Sequence, residues 1–116
     1  MAANPVVPIP ELQMNTEKKA EGTIVHGSGR ITSDNSGLLQ STIRGLIPEA
    51  RRIVFDMTDV NYIDSSGIGA LVSVYLTASK ARCNLEVANP QPRIRDLFEL
   101  ARLTAVFENR EESSAA

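Results

Sequence analysis

Residues 53–76 read Ile-Val-Phe-Asp-Met-Thr-Asp-Val-Asn-Tyr-Ile-Asp-Ser-Ser-Gly-Ile-Gly-Ala-Leu-Val-Ser-Val-Tyr-Leu and predict a strand, a loop and a helix in succession. The apolar run that opens the strand at 53–57 is typical of a buried central strand. A polar loop is predicted over 58–64, and apolar residues at helical spacing predict a helix over 66–80. The first N–H groups of a helix are unpaired and favour negative charge, so the segment Asp64-Ser65-Ser66-Gly67 is a place where a phosphate group would be tolerated.

Strands and helices also alternate upstream of this stretch. Loose alternation from Leu12 predicts a half-exposed strand, and a second strand is predicted over 23–31. The Gly27-Ser28-Gly29 interruption in that strand indicates a bulge or a close backbone approach. A first helix follows, for which Thr32-Ser33-Asp34 offers N-cap chemistry, and it ends at Pro48.

Downstream of the helix at 66–80, a strand is predicted over 84–88 and a third helix around 94–101. The apolar pair Val106-Phe107 is either a short edge strand or a packing contact. The predicted order β-β-α-β-α-β-α-(β) indicates an α/β fold, with a mixed β-sheet of four to five strands and helices packed on it.

The bulk properties indicate one ordinary globular domain. The chain has 116 residues, of which 42% are hydrophobic and 22% charged, and a formal net charge of −2 that gives no reason to expect nucleic-acid binding. Cys83 is the single cysteine, which fits a reducing compartment. The proline-broken start lacks signal-peptide character, and the apolar stretch at 68–78 is too short to span a bilayer. A cytoplasmic protein without membrane insertion is expected.

The residues that catalysis or cofactor binding would need are sparse. His26 is the one histidine and is interpreted as structural, and a single histidine with a single cysteine argues against a zinc site. The serines at 65–66 lack the setting of a hydrolase nucleophile, no P-loop occurs, and Gly67-Ile68-Gly69 lacks the third glycine of a dinucleotide fingerprint. Asp56, Asp59 and Asp64 are interpreted as carboxylates of a solvated loop. No enzyme activity, cofactor or metal is therefore predicted.

Two interpretations of the segment at 64–67 stay open on the residues alone. Asp64 or Ser65 could simply cap the helix that follows, which is the blander account. Gly67 and Gly69 each cost about 1 kcal/mol relative to alanine in a helix, so they need a reason. Close approach of another backbone or of a partner would provide one.

The motif Val60-Asn61-Tyr62-Ile63-Asp64-Ser65-Ser66-Gly67-Ile68-Gly69, with Phe55-Asp56-Met57-Thr58 before it, resembles the signature of the STAS domain. The resemblance is in particular to the bacterial anti-sigma factor antagonists, and it covers about residues 11–109, leaving tails at 1–10 and 110–116. It implies a STAS-like fold in which Ser65 is the phospho-acceptor. It also implies that Asp64, Ser66 and Gly67 frame this serine, with Ser66 as the expected capping or supporting residue.

The same resemblance implies the partners. In that family a serine kinase that is also the anti-sigma factor adds the phosphate, and a serine phosphatase removes it. The unphosphorylated antagonist binds the kinase and displaces the sigma factor. The partner-binding residues implied here come from two segments and are Asp64, Ser65, Ser66, Gly67, Ile68, Thr32, Ser33 and Asp34.

One departure from the family pattern lies at the entrance to the first helix. The family often has Gly-Glu-Leu-Asp there, whereas this chain has Gly29-Arg30-Ile31-Thr32, and Ser33-Asp34 is an alternative source of the polar group. A STAS scaffold or transporter-associated module that is not phosphorylated is the alternative function. A nucleotide-binding module is a third reading that no phosphate-cradling motif supports, and homodimer formation is left open.

Overall fold

The structure, a computed structural model, describes residues 11–103. Its elements are β1 (Leu12–Lys19), β2 (Gly22–Ile31), α1 (Ser36–Leu46), a 3-10 turn at Ile47–Glu49, β3 (Arg52–Ile63), α2 (Ser65–Lys80), β4 (Asn84–Ala88) and α3 (Pro92–Leu100). This order confirms the predicted succession of elements through the third helix. The predicted tails at 1–10 and 110–116, the domain end at 104–109 and the Val106-Phe107 pair lie outside the described residues.

The four strands form one sheet in the order β1-β2-β3-β4. Strand β1 is antiparallel to β2, whereas β2, β3 and β4 are parallel to one another. The sheet is therefore mixed, and the predicted α/β class is confirmed. Because the parallel strands end at the same edge, the chain leaves both β2 and β3 at the edge where α1 and α2 begin.

Alternation of buried and half-buried residues separates the two faces of the sheet. Val25, Ile53 and Phe55 are fully buried, whereas their neighbours His26 and Val54 are only half-buried. The buried face and the inner sides of the helices form a single core. Its helical members include Leu39, Ile43, Leu71, Val74, Ile94 and Phe98.

Strand β3 is longer than predicted, since it runs to Ile63 where a loop over 58–64 was expected. The prediction was wrong because β3 contains two irregularities in its pairing with β2, which break the two-residue alternation. The buried positions are consequently Met57, Val60 and Ile63, three residues apart, and exposed polar residues lie between them. Such a pattern is easily mistaken for a loop.

Strand β2 lies in close contact with its neighbours where the glycines occur. A Cβ at Gly27 would meet the Phe55 ring at 2.9 Å. Gly29 has a φ of 103°, and a Cβ there would clash with the Glu11 carbonyl oxygen. The interpretation of the Gly27-Ser28-Gly29 segment as a bulge or close approach is confirmed.

Helix α1 begins later than predicted. Its N-cap is Asn35 and its first residue is Ser36, so Thr32, Ser33 and Asp34 lie in the turn before it and do not cap it. The Asn35 side chain folds back to accept a hydrogen bond from Thr32 N (2.9 Å) and to donate one to the Arg30 carbonyl (2.9 Å). Across residues 11–103, no helix has both the length and the apolar character needed to cross a membrane.

Candidate partner-binding site at the start of helix α2

Asp64 connects three elements at the carboxyl end of the sheet. It is the N-cap of α2, and its Oδ1 accepts a hydrogen bond from Gly67 N at 2.9 Å. Its Oδ2 accepts a second bond from Ser33 N at 3.2 Å, and its own backbone N–H donates to the Ile31 carbonyl at 3.1 Å. One carboxylate thus closes the first turn of α2 and holds the β2–α1 turn beside it.

Ser65 and Ser66 are the first two residues of α2, and both are exposed. The resemblance implied that Ser66 was the capping or supporting residue, and the capping part of this prediction is wrong. An N-cap side chain precedes the helix and accepts from the second or third helical N–H, which is the position of Asp64 relative to Gly67. Ser66 already lies one residue inside the helix, so its hydroxyl is not placed to cap it.

Gly67 and Gly69 differ in their surroundings, although the sequence treats them alike. A Cβ at Gly67 would lie 2.7 Å from side-chain atoms of both Ile31 and Ile63, whereas a Cβ at Gly69 would have nothing within 4 Å. The close approach at Gly67 is therefore internal to the fold and brings α2 onto the ends of β2 and β3. Gly69 is exposed and has no such internal reason.

The turn at 32–35 is held by its own hydrogen bonds. Asp34 N donates to the Thr32 hydroxyl at 3.2 Å, and Ser36 N donates to the Thr32 carbonyl at 2.8 Å. Ser33 and Asp34 are exposed while Thr32 is half-buried. Since Ser33 N is bonded to Asp64, the two predicted segments lie side by side in the structure.

Glu11 is a neighbour of this turn that the sequence did not reveal. Its carboxylate accepts a hydrogen bond from the Thr32 hydroxyl at 3.3 Å, and its carbonyl accepts one from Arg30 N. The residue just before β1 therefore places an exposed carboxylate beside Thr32. No local signal marks this contact, because 21 residues separate Glu11 from Thr32.

The remaining members of the predicted site differ in how accessible they are. Ile68 is half-buried and packs against the core, so a partner would meet only part of its side chain. Nearby, the Arg30 guanidinium lies over the Tyr62 ring at 4.4 Å from its centroid, at the ends of β2 and β3. This contact is a cation–π pair that sequence reasoning did not anticipate.

The start of α2 can accommodate added negative charge. The Ser65 hydroxyl is exposed at a helix N-terminus, where the helix dipole offsets added negative charge by about 0.3–1 kcal/mol. Each oxygen of the Asp64 carboxylate accepts one backbone N–H bond, so the carboxylate is held in place by the fold.

His26 lies on a different part of the molecule and has the structural role that was predicted. Its two ring nitrogens contact Asp56 and Glu17 at 3.0 Å and 2.9 Å, and these contacts raise the pKa of His26. Burial opposes ionisation of Asp56, but hydrogen bonds from Thr58, Asn89 and His26 outweigh it and lower the pKa of that carboxyl. Within residues 11–103, no three His, Cys, Asp or Glu side chains are grouped so as to hold a metal ion.

Comparison with known proteins shows the family. The sequence profile of the STAS domain matches residues 13–116, which is most of the chain. The chain belongs to the STAS domain family. In this STAS domain, Asp64 of the Asp-Ser-Ser-Gly segment caps α2, and the two serines and the glycine are its first residues.

Several relatives of this STAS domain carry names that refer to sigma-factor control. A protein named as a putative anti-sigma factor antagonist, BtrV of Bordetella bronchiseptica, is 25% identical over 105 residues, covering 87% of this chain and 90% of the relative. An anti-sigma factor antagonist structure from Mycobacterium paratuberculosis superposes with a TM-score of 0.76 at 21% identity, covering 87% of each chain. The Bacillus cell fate determinant SpoIIAA in its phosphorylated form superposes at 0.67 and 16% identity, covering 90% of this chain and 100% of its own.

The same domain also occurs in a different setting. The high affinity sulfate transporter 1 of Stylosanthes hamata is 33% identical over 61 residues, which is 53% of this STAS domain but 9% of the transporter. The structural likenesses, all at low identity, show the fold. Family membership alone therefore does not separate a regulator from a transporter-associated module.

Proposed function

We propose that this STAS domain is an anti-sigma factor antagonist that binds a serine kinase/anti-sigma factor and is released by phosphorylation of Ser65. The observation that carries the proposal is the geometry at Asp64, which caps α2 itself and leaves the Ser65 hydroxyl exposed on the first turn. A serine needed as a cap would be a poor switch, because modifying it would open the helix. Here the cap and the proposed switch are separate residues.

The partner surface in this proposal consists of the first turn of α2 and the turn at 32–35. The bond from Ser33 N to Asp64 holds the two segments at a fixed distance, so a partner can contact both at once. The exposed members of this surface are Ser33, Asp34, Ser65 and Ser66. Unphosphorylated protein binds the kinase through this surface and so releases the sigma factor.

Phosphorylation would act through charge at this surface. It adds about −1.5 to −2 charge beside Asp64. The helix N-terminus offsets part of that charge, so the fold is retained. A partner surface fitted to a neutral hydroxyl then faces misplaced charge, and like-charge contacts at an interface cost several kcal/mol. A dedicated serine phosphatase would reverse the change, and no catalysis by this chain is required.

The names of related proteins support the proposal in addition to the geometry of the site. A relative covering most of the chain is named as a putative anti-sigma factor antagonist, and a structural neighbour is described in a phosphorylated form. The sulfate transporter match favours the second candidate, a STAS module of a transport system that is not phosphorylated.

Kinase treatment of matched variants tests this proposal. The wild-type protein, Ser65→Ala and Ser66→Ala are each incubated with ATP and the serine kinases of the anti-sigma type from the same organism, and the modified residue is mapped by mass spectrometry. We expect phosphate on the wild type and on Ser66→Ala but not on Ser65→Ala. Modification at Ser66 instead of Ser65 would contradict the assignment of the acceptor, and no modification with any of these kinases would favour the transporter or scaffold function. ATP and GTP titrations of the protein alone are expected to show no binding, which tests the nucleotide-binding alternative.

A further inference from the structure

His26 lies on the half-buried face of the sheet and joins three strands through its ring. Its Nδ1 is 3.0 Å from Oδ2 of Asp56 on β3, and its Nε2 is 2.9 Å from Oε1 of Glu17 on β1. Strand β2, which carries His26, lies between those two strands. One side chain therefore spans the sheet from its edge strand to an interior strand.

Both contacts are satisfied together by one protonation state only. An ionised carboxylate accepts hydrogen bonds and has none to donate, and a neutral imidazole has one donor nitrogen and one acceptor nitrogen. With a carboxylate at each nitrogen, the neutral ring would turn a lone pair towards one of them. The imidazolium donates to both, so the geometry describes a protonated ring between two anions.

Strand β1 has few other side-chain contacts to hold it. Among its eight residues only Leu12 is buried and Met14 half-buried, and the end at 15–19 is exposed. Its backbone pairs with β2 on one side only, as expected for an edge strand. In the described part of the chain, Lys18 at this end also forms an ion pair with Glu49 at 3.6 Å, but these side chains are 70% and 73% exposed and Glu49 lies outside the sheet. The Glu17–His26 contact is the one that reaches the neighbouring strand.

We propose that His26 is a proton-dependent clasp, which fastens the edge strand β1 to β3 across β2 when the imidazole is protonated and loosens β1 when it is not. This device is independent of the function proposed for Ser65. It would give the stability of β1 a dependence on pH near neutrality, where histidine changes charge.

The other charged groups on this face leave the clasp intact. From β1, Lys19 Nζ is 3.5 Å from Oε2 of Glu17, which leaves Oε1 to His26. From β3, the Asp56 carboxylate is fixed by Thr58 and Asn89. Arg52 of β3 is occupied by Glu86 of β4 at 2.7 Å, so it does not neutralise Asp56.

The direction of the pH dependence follows from these contacts. Hydrogen bonds to Glu17 and then Asp56 raise the pKa of His26 above its ordinary value of 6.5. The stabilisation is therefore fully present below pH 6.5 and is lost as the pH rises through the raised pKa. At low pH, the hydrogen bond with His26 lowers the pKa of Glu17 from 4.5. The stabilisation that comes from the ionised Glu17 carboxylate is therefore lost as the pH falls through this lowered pKa. The clasp is closed between these two limits.

Amide hydrogen exchange combined with a histidine titration by NMR tests the clasp. The expected results are a His26 pKa above 6.5 and a loss of protection as the pH rises through it, confined to the amides of the β1–β2 ladder after correction for intrinsic exchange. Glu17→Gln is expected to lower the His26 pKa, and His26→Gln to make β1 protection independent of pH. Glu21→Gln is the control, because it also removes one negative charge, but from the turn after β1. It is expected to change neither the His26 pKa nor the pH dependence of β1 protection.

Two outcomes would overturn the proposal. One is a His26 pKa that is at or below 6.5, or that Glu17→Gln leaves unchanged. The other is β1 protection that is equal on both sides of the His26 titration in the wild-type protein. Glu17→Gln keeps the test decisive should His26→Gln fail to fold, because Glu17 is half-exposed and its replacement leaves β2 untouched.

Discussion

Asp64 shows how much of this site depends on one side chain. Its carboxylate accepts from Gly67 N and Ser33 N, so replacing it removes the cap of α2 and the bond to the β2–α1 turn together. Asp64→Ala is expected to lower the free energy of unfolding by about 0.5–2 kcal/mol. Asp64→Asn should lose less, because its amide oxygen can still accept the bond from Gly67 N, although its NH2 group cannot accept the bond from Ser33 N. Urea denaturation of both variants measures the difference, and equal losses would contradict the capping role.

Gly67 and Gly69 form a matched pair of substitutions two residues apart. A methyl group at Gly67 would press on Ile31 and Ile63, and overpacking of this kind costs about 1–3 kcal/mol, partly offset by the better helix propensity of alanine. A methyl group at Gly69 meets nothing, so Gly69→Ala should stabilise by about 0.5–1 kcal/mol. Chemical denaturation is expected to give opposite signs, and the same sign for both would show that the packing at Gly67 is looser than described.

Residues whose type has a recognisable local role were easier to predict than residues whose role depends on contacts in the folded structure. Capping by Asp64 and a close approach at Gly67 were predicted from residue type, because aspartate is a preferred N-cap residue and glycine is costly inside a helix. Ser65 as the phospho-acceptor was implied by the family resemblance and stays a prediction. Glu11 and Asn35 were missed, since the first acts across the sheet and the second caps α1 while its side chain bonds backwards to Arg30 and Thr32. The Glu11 contact spans 21 residues and leaves no local signal, whereas the Asn35 contacts span three and five residues and were missed because Thr32-Ser33-Asp34 offers the same cap chemistry.

At the scale of elements, β4 is joined to β3 by an ion pair as well as by backbone bonds. Arg52 donates to both carboxylate oxygens of Glu86, at 2.7 Å and 2.9 Å, and the Glu86 side chain is only 6% exposed. Removing Arg52 alone would leave a buried carboxylate without this partner, which typically costs about 1–3 kcal/mol.

The prediction is tested by a double-mutant cycle. Arg52→Met is expected to destabilise more than the double variant Arg52→Met with Glu86→Met, because the double variant removes the buried charge as well. Thermal unfolding of the four proteins at one pH gives the comparison. A double variant less stable than Arg52→Met alone would indicate that Glu86 is held mainly by its other contacts, such as the one from Asn84 at 3.1 Å.

Element order was predictable here while element ends were not. Hydrophobic spacing located every strand and helix within residues 11–103, because each element buries one side against a shared core. The end of β3 was misplaced because its pairing irregularities hide the alternation after Met57. The start of α1 was misplaced because Thr32-Ser33-Asp34 satisfies the chemistry of a cap but lies in the preceding turn.

At the scale of the whole molecule, the domain is expected to extend over residues 11–109. The family profile matches 13–116 and so runs past this boundary, whereas the core of the described residues extends through Ile94 and Phe98 to Leu103. A chain of residues 11–109 should therefore unfold in one cooperative transition with the stability of the full chain, to within about 0.5 kcal/mol. Calorimetry of both chains measures this, and a broad or much weaker transition in the shorter chain would place the boundary beyond 109.

The central claim is that charge at Ser65 controls binding while the fold persists. The most direct measurement is calorimetric titration of the cognate serine kinase/anti-sigma factor with the wild-type protein, Ser65→Glu and Ser79→Glu. Ser79 is exposed at the other end of α2 and is the matched control. We predict at least a tenfold loss of affinity for Ser65→Glu alone, which corresponds to about 1.4 kcal/mol, with an unchanged circular dichroism spectrum. Equal affinity of Ser65→Glu and wild type, or unfolding of Ser65→Glu, would contradict the account.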